Sequence, residues 1–272
     1  MYFSTHEASS AFQKKLHSGE LVVGTWINAI KDPILAKILG ACGLDYVLID
    51  GEHSGATPAT LSETCVLARE CGVYPMVRPA DPNDLKGNGR LMDAGAMGLV
   101  VPHIDSVDQA RRVANSIRYF NGGTRGFGSR SLGSGFQKMT EEAMIQADRE
   151  VTCVVQFESV AAVEQADEIM AIDGVDVAII GRGDLAMDMG LPGRGTDDRV
   201  TVLVEKVYEA ARRNGKVPGL LTDSLEGAIK WMGRGVKFLT YGSEVGWLMS
   251  AYENGLKAIH QAQQEMEQES TK

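Results

Sequence analysis

No stretch of this 272-residue chain approaches the roughly 18 consecutive apolar residues that a membrane-crossing helix needs. The first residues, Met1-Tyr2-Phe3-Ser4-Thr5-His6-Glu7, lack the basic and then apolar pattern of a secretory signal. Cysteine is scarce: Cys42, Cys65, Cys71 and Cys153 show no zinc-type pairing. Cys65 and Cys71 are separated by five intervening residues in a helical stretch and read as reduced core thiols. Positive charge is in deficit, with 27 Lys and Arg against 36 Asp and Glu, a net charge of −9. The cations are also scattered, which argues against nucleic acid as the main partner. These absences predict a soluble, cytoplasmic protein, and 44% hydrophobic with 23% charged residues is ordinary for one. A single domain over 1–272, with a core at about 20–262, suits a length near the roughly 250 residues of a single (β/α) barrel.

Short β-rich runs alternate with longer helical patterns. The strand candidates are Leu21–Trp26, Tyr46–Asp50, Tyr74–Arg78, Gly98–Pro102, Val151–Glu158, Val175–Gly181, Val217–Thr222 and Val236–Tyr241. Between most of them lie helical periodicities: Pro33–Ala41, Thr57–Cys71, Ser106–Ile117, Val160–Met170, Val200–Arg213 and Ser224–Met232. Gly43, Gly72, Gly95, Gly215 and Gly235 are placed like helix C-caps. Eight apolar strands with helical crossovers predict an α/β fold, a closed (β/α)₈ TIM barrel. The alternative, an open doubly wound sheet, would be favoured by a GxGxxG after the first strand, and Gly24-Thr25-Trp26-Ile27 offers none. Two segments break the alternation. Asn121–Phe136 holds six glycines in sixteen residues and reads as a long functional or mobile loop. Glu244–Gln268 reads as an extra C-terminal helix for the barrel or a neighbouring subunit, with the polar residues Glu265–Lys272 frayed.

The strand ends concentrate the chemistry. Tyr46-Val47-Leu48-Ile49 runs into Asp50-Gly51-Glu52-His53, and the third strand ends in Val77-Arg78-Pro79. In the fifth, alternation puts Gln156 and Glu158 on one face. The sixth ends in Ile180-Gly181-Arg182-Gly183-Asp184-Leu185, a glycine-framed turn presenting a carboxylate. A barrel brings these ends to one rim, where ligands sit.

Two carboxylates on adjacent strands, without a His or Cys cluster, suit a hard divalent cation such as Mg²⁺ or Mn²⁺. Such a cation chelates a 2-oxo acid and stabilises its enolate. Arg78 then suits a developing oxyanion and His53 proton transfer. No lysine stands at a strand end, so a Schiff-base route is disfavoured. Taken singly, each residue has a plainer reading. The Asp50–His53 cluster serves equally as a helix N-cap, Arg78 as the partner of a surface carboxylate, and Glu158 as a charge at a helix start. The joint placement on one rim favours chemistry.

Together Asp50-Gly51-Glu52-His53, Val77-Arg78-Pro79, Leu91-Met92-Asp93-Ala94-Gly95, Val101-Pro102, Arg125-Gly126, Gln156-Phe157-Glu158-Ser159 and Asp184-Leu185 with Asp188-Met189-Gly190 resemble the HpcH/HpaI aldolases in order and spacing. The resemblance runs from about Gly24 to the last helix and implies a class II, metal-dependent pyruvate aldolase. It implies His53 as general base, made more basic by Asp93, with Asp50 in a supporting role. It implies Arg78 as transition-state stabiliser, Glu158 and Asp184 as metal ligands, and Gln156 and Gly183 as contacts to the pyruvate moiety beside Asp184 and Arg78. The implied cofactor is Mg²⁺, Mn²⁺ or Co²⁺ with no organic group. The implied partners are pyruvate or oxaloacetate, an aldehyde, and further copies of the chain in a hexamer of swapped dimers. Oxaloacetate decarboxylation, with or without the enolate coupling of a macrophomate synthase, is the alternative. A non-catalytic barrel binding a 2-oxo acid is the reading from another class. The chain departs from the family pattern at Arg182-Gly183, where Pro-Ala is usual, at Asp81–Arg90, which is about one residue longer, and in the Asn121–Phe136 loop.

Overall fold

A computed structural model describes residues 5–270. In chain order the elements are α1 (Thr5–Ser18), β1 (Val22–Ile27), α2 (Ile34–Ala41), β2 (Tyr46–Asp50), α3 (Pro58–Glu70), β3 (Tyr74–Arg78), α4 (Leu85–Asp93), β4 (Gly98–Val101) and α5 (Val107–Ser116). The second half comprises α6 (Glu141–Glu150), β5 (Thr152–Phe157), α7 (Val160–Glu164), α8 (Ala166–Met170), β6 (Val177–Ile180), α9 (Arg182–Asp188), α10 (Asp198–Arg213), β7 (Val217–Thr222), α11 (Leu225–Met232), β8 (Phe238–Ser243) and α12 (Glu244–Ser270). All eight strands are parallel and close into one barrel, β8 pairing with β1. The expected (β/α)₈ architecture is therefore present, and no helix among the described residues is long and apolar enough to cross a membrane.

Strand residues alternate between two separate cores. Tyr46 and Leu48 of β2, Tyr74 and Met76 of β3, Val154 of β5 and Val177 and Ile179 of β6 fill the barrel interior. Val47, Ile49, Val77, Val155 and Ala178 face the helical layer. Both layers are apolar, which is why these strands read as unbroken hydrophobic runs. The inward series continues past the packed layers to polar residues: Tyr46-Leu48-Asp50, Tyr74-Met76-Arg78 and Val154-Gln156-Glu158. Two steps of a strand thus carry the chain from core to rim.

Helices missing from the sequence reading are α1, α4, α6 and α9. Helix α1 closes the amino end of the barrel, where Phe12 stacks on Tyr74 at 4.1 Å between ring centroids and Leu16 is buried. Helix α4 carries Gly87 and Gly89, which blur its periodicity, yet Asp84 caps it by accepting from the Gly87 N–H at 2.8 Å. Helix α6 buries no residue, so no apolar stripe marks it. The five glycines expected at helix ends all adopt positive φ, from 67° to 112°. The Asn121–Phe136 segment is irregular, as expected. The carboxyl end differs: α12 continues to Ser270, so residues 265–270 are helical rather than frayed, and 271–272 lie outside the described residues. Long runs of helix-forming Gln, Glu and Met explain this.

Glu244, at the start of α12, is 6% exposed and accepts from the backbone N–H groups of Asn28, Ala29 and Ile30 at 2.8, 2.6 and 3.0 Å. One carboxylate oxygen therefore ties the loop after β1 to the end of β8. Glu244→Ala is expected to lower the unfolding free energy by about 2 kcal/mol, because it strips partners from three amides and a charge-assisted bond is stronger than a neutral one. Urea unfolding followed by circular dichroism measures this, and an unchanged midpoint contradicts it.

Candidate active site at the carboxyl rim of the barrel

Parallel pairing of β2 and β3 puts Asp50 and Arg78 in register at the last position of each strand. Arg78 donates through Nε to Asp50 Oδ1 at 2.8 Å and through Nη2 to Oδ2 at 2.7 Å, a two-pronged pair. Asp50 is 1% exposed. Burial pushes its carboxyl up, but the guanidinium and the backbone N–H groups of Glu52 and His53 outweigh that and hold it below its ordinary 3.8. Arg78 also reaches Glu52 through Nη1 at 3.0 Å and lies over the Trp26 ring at 4.4 Å.

Glu158 stands just beyond β5, buried among polar partners. Its Oε2 accepts from the His103 backbone N–H at 2.8 Å, and its Oε1 accepts from Gln156 Nε2. The close approach depends on Gly181, where a Cβ would lie 2.5 Å from Glu158 Oε1 and 3.0 Å from Gln156 Nε2. Burial drives the Glu158 carboxyl above its usual range, His103 opposes this, and the like charges of Asp184 and Glu52 add to it. Gln156 is 2% exposed and its buried Oε1 has no partner. Asp184, exposed in the first turn of α9, is part of the same field.

His103 was not foreseen. It follows Pro102 at the end of β4, adopts φ of +50°, and spans two carboxylates: Nδ1 is 3.2 Å from Glu158 Oε2 and Nε2 is 3.0 Å from Glu52 Oε1. The available signal was its place after Val101-Pro102 at a strand end. Trp26 also belongs to the rim, where it ends the inward series Val22-Gly24-Trp26 of β1. Of the residues expected at this rim, Asp50, Arg78, Gln156 and Glu158 form one hydrogen-bonded and ionic network with Glu52 and His103. His53 lies at its open edge, its side chain 70% exposed and its Nε2 3.7 Å from Glu52 Oε2. Gly183 is exposed beside Asp184. Asp93 stands elsewhere in the chain: it ends α4 and takes Arg125 as its partner at 2.8 Å, so one chain does not bring it to His53.

The donor set fits a hard divalent cation. Burial, and then the neighbouring charges of Asp184 and Glu52, raise the proton affinity of the Glu158 carboxylate, and Gln156 Oε1 is a buried oxygen without a partner beside it. Among the described residues no three His, Cys, Asp or Glu side chains already enclose a cation. Two protein carboxylates leave positions for water and substrate oxygens, the usual arrangement for Mg²⁺.

Arg78→Met should destabilise the fold by about 3–5 kcal/mol, since it strands a buried carboxylate, and adding Asp50→Asn should restore much of that. The Asp50 carboxyl is depressed in the folded state. Its contribution over Asp50→Asn is therefore complete above pH 3.8 and fades as pH falls through its lower folded value. Equal urea midpoints for the single and double variants would overturn this account.

The model of the family described as HpcH/HpaI aldolase/citrate lyase matches residues 23–251. A 4-hydroxy-2-oxovalerate aldolase of Rhodococcus jostii (strain RHA1) is 32% identical, over 86% of this chain and 89% of the relative. A 2-keto-3-deoxy-L-rhamnonate aldolase of Shigella sonnei (strain Ss046) is 30% identical, over 86% and 87%. The crystal structure of an HpcH/HpaI aldolase from Desulfitobacterium hafniense DCB-2 superposes with a TM-score of 0.86 at 33% identity, covering 91% of this chain and 95% of that one. The chain belongs to the HpcH/HpaI aldolase/citrate lyase family, an enzyme family of carbon–carbon lyases.

Proposed function

We propose that the protein is a divalent-metal pyruvate aldolase that cleaves 4-hydroxy-2-oxo acids to pyruvate and an aldehyde. The observation that carries this is the division of the rim. A paired guanidinium and an open imidazole stand at β2 and β3, and a carboxylate-rich oxygen set, with the Glu158 carboxyl raised by burial, stands across the barrel at β5 and β6. The aldolases named among the relatives support the reading.

Glu158 and Asp184 would hold the cation, Mg²⁺, Mn²⁺ or Co²⁺, and Gln156, which donates from Nε2 to Glu158, would stand beside the pyruvate moiety. When bound, the metal supplies Lewis acidity to the 2-oxo acid. His53 takes the proton of the 4-hydroxyl group as the C3–C4 bond breaks, and the electron pair moves onto the carbonyl oxygen at C2. Arg78, held flat by Asp50 and Trp26, donates to that developing negative charge. Protonated His53 then returns its proton to C3, which releases pyruvate. His103 bridges Glu52 and Glu158 and so orients both acids. Gly183 leaves its backbone open toward the substrate carboxylate. An oxaloacetate decarboxylase would use the same enolate. No observation at the rim favours it over aldol cleavage.

A homo-oligomer is part of the proposal. Helix α12 is about 40 Å long by its 27 residues; Trp247 packs on Tyr241 of β8, and from Ala251 onward every described residue is exposed, with Tyr252, Leu256 and Ile259 among them and Leu248 one turn earlier. Such a surface matches another copy of the chain.

Pyruvate release from 4-hydroxy-2-oxo acids, followed by coupled lactate dehydrogenase, should vanish on full chelation and return with Mg²⁺, Mn²⁺ or Co²⁺. His53→Ala should lower kcat by about a hundredfold or more. Turnover that survives both chelation and Glu158→Ala overturns the reading. By light scattering, the protein should have a mass several times 29.3 kDa, and Leu256→Glu with Ile259→Glu should reduce it. A monomeric wild type contradicts the assembly.

A further inference from the structure

A second space opens at the same end of the barrel. It is a chamber of about 470 Å³ at the carboxyl ends of β7, β8 and β1, within the size range of small-molecule sites. Its walls include Trp26, Arg182, Thr222, Ser243 and Trp247. Trp26 is the ring on which Arg78 lies, so one wall of the chamber is shared with the reactive cluster. Trp247 enters because Gly242 stands at φ +64° without a side chain: a Cβ there would fall 2.3 Å from the indole nitrogen. The backbone is therefore shaped to keep an aromatic face in this wall.

Arg182 is the charged residue that sets the chamber apart. It occupies the position where the family pattern has proline, two residues before Asp184. The residue is half-buried, and its described hydrogen bond is a long one, from Nη2 to the Leu221 carbonyl at 3.4 Å. Among the described residues it forms no ion pair. Arg78 at the same rim is neutralised by Asp50 and Glu52. Asp223 also lines the chamber but is exposed and does not pair with Arg182, so water screens it at the mouth. A half-buried arginine that forms no ion pair among the described residues, with donors arranged to meet planar oxyanions, is completed by an anionic ligand.

We propose that this chamber receives the tail of the aldehyde partner and that Arg182 selects aldehydes whose tail ends in an oxyanion, carboxylate or phosphate. The proposal rests on the aldolase reading, since it names the second substrate of that site. Arg182 contacts the tail and takes no part in the bond change.

The test runs the reaction toward condensation, with pyruvate and paired aldehydes: 4-oxobutanoate against butanal, and glyceraldehyde 3-phosphate against glyceraldehyde. In the wild type one anionic member should exceed its neutral partner in kcat/KM by about tenfold or more, the worth of a charge-assisted hydrogen bond. Which pair shows the preference distinguishes carboxylate from phosphate. Arg182→Met should bring that ratio close to one, chiefly through KM of the anionic aldehyde, and Arg182→Lys should keep part of it. Raising the salt concentration should shrink the wild-type preference, a measurement that needs no variant. Deuterium exchange into the methyl group of pyruvate, run without aldehyde, reports the enolate chemistry by itself. Exchange with equal kcat/KM for both members of each pair overturns this proposal and leaves the aldolase reading standing. A ratio that survives Arg182→Met also overturns it. Absence of both exchange and condensation in the metal-supplied wild type overturns both.

Discussion

The rim is organised by one buried ion pair. Asp50 and Arg78 occupy matched positions in β2 and β3, and their two hydrogen bonds lock the guanidinium plane before any ligand arrives. From that plane Arg78 also holds Glu52 and covers Trp26, and Glu52 in turn meets His103, which meets Glu158. A chain of contacts therefore crosses the mouth from β2 to β5. Loss of Arg78 would leave the Asp50 and Glu52 carboxylates buried without their cation, so the pair rigidifies the fold while it shapes the site.

The charges across this mouth are unequal. Near β2 and β3 two acids share one guanidinium, which offsets part of their charge. Near β5 and β6 acids predominate, and Glu158 holds its proton more tightly because burial and its acidic neighbours penalise ionisation. A site that must gather negative charge on a substrate oxygen needs a counter-charge where the acids crowd, and a divalent cation meets that need. The side that carries Arg78 is suited to the opposite task, because a preorganised guanidinium meets a developing oxyanion with little reorganisation.

The barrel was legible because eight apolar runs alternate with helical patterns, and parallel strands covered on both faces are apolar at every position. The Gln156–Glu158 pairing was legible for a related reason, the period of two along a strand. Other features gave no such signal. Helix α6 buries nothing, and α4 is broken by glycines, so neither shows a stripe. His103 owes its place to a left-handed backbone turn after Pro102, which no periodicity reports. The relation expected between Asp93 and His53 is absent within one chain, where Arg125 takes Asp93 instead.

Sequence by itself determined the strand order, the polar residues that end each strand, and the aliphatic layers that bury everything before them. These follow from local rules: side-chain alternation, helix capping and the burial of apolar surface. Only the closed barrel decided which ends meet. Register across β2 and β3 made Asp50 and Arg78 a pair, and closure of β8 onto β1 placed Trp26, Trp247 and Arg182 around one chamber. Those distances join residues tens to hundreds of positions apart, and it is the geometry of strand closure, absent from any local stretch of sequence, that brings them together.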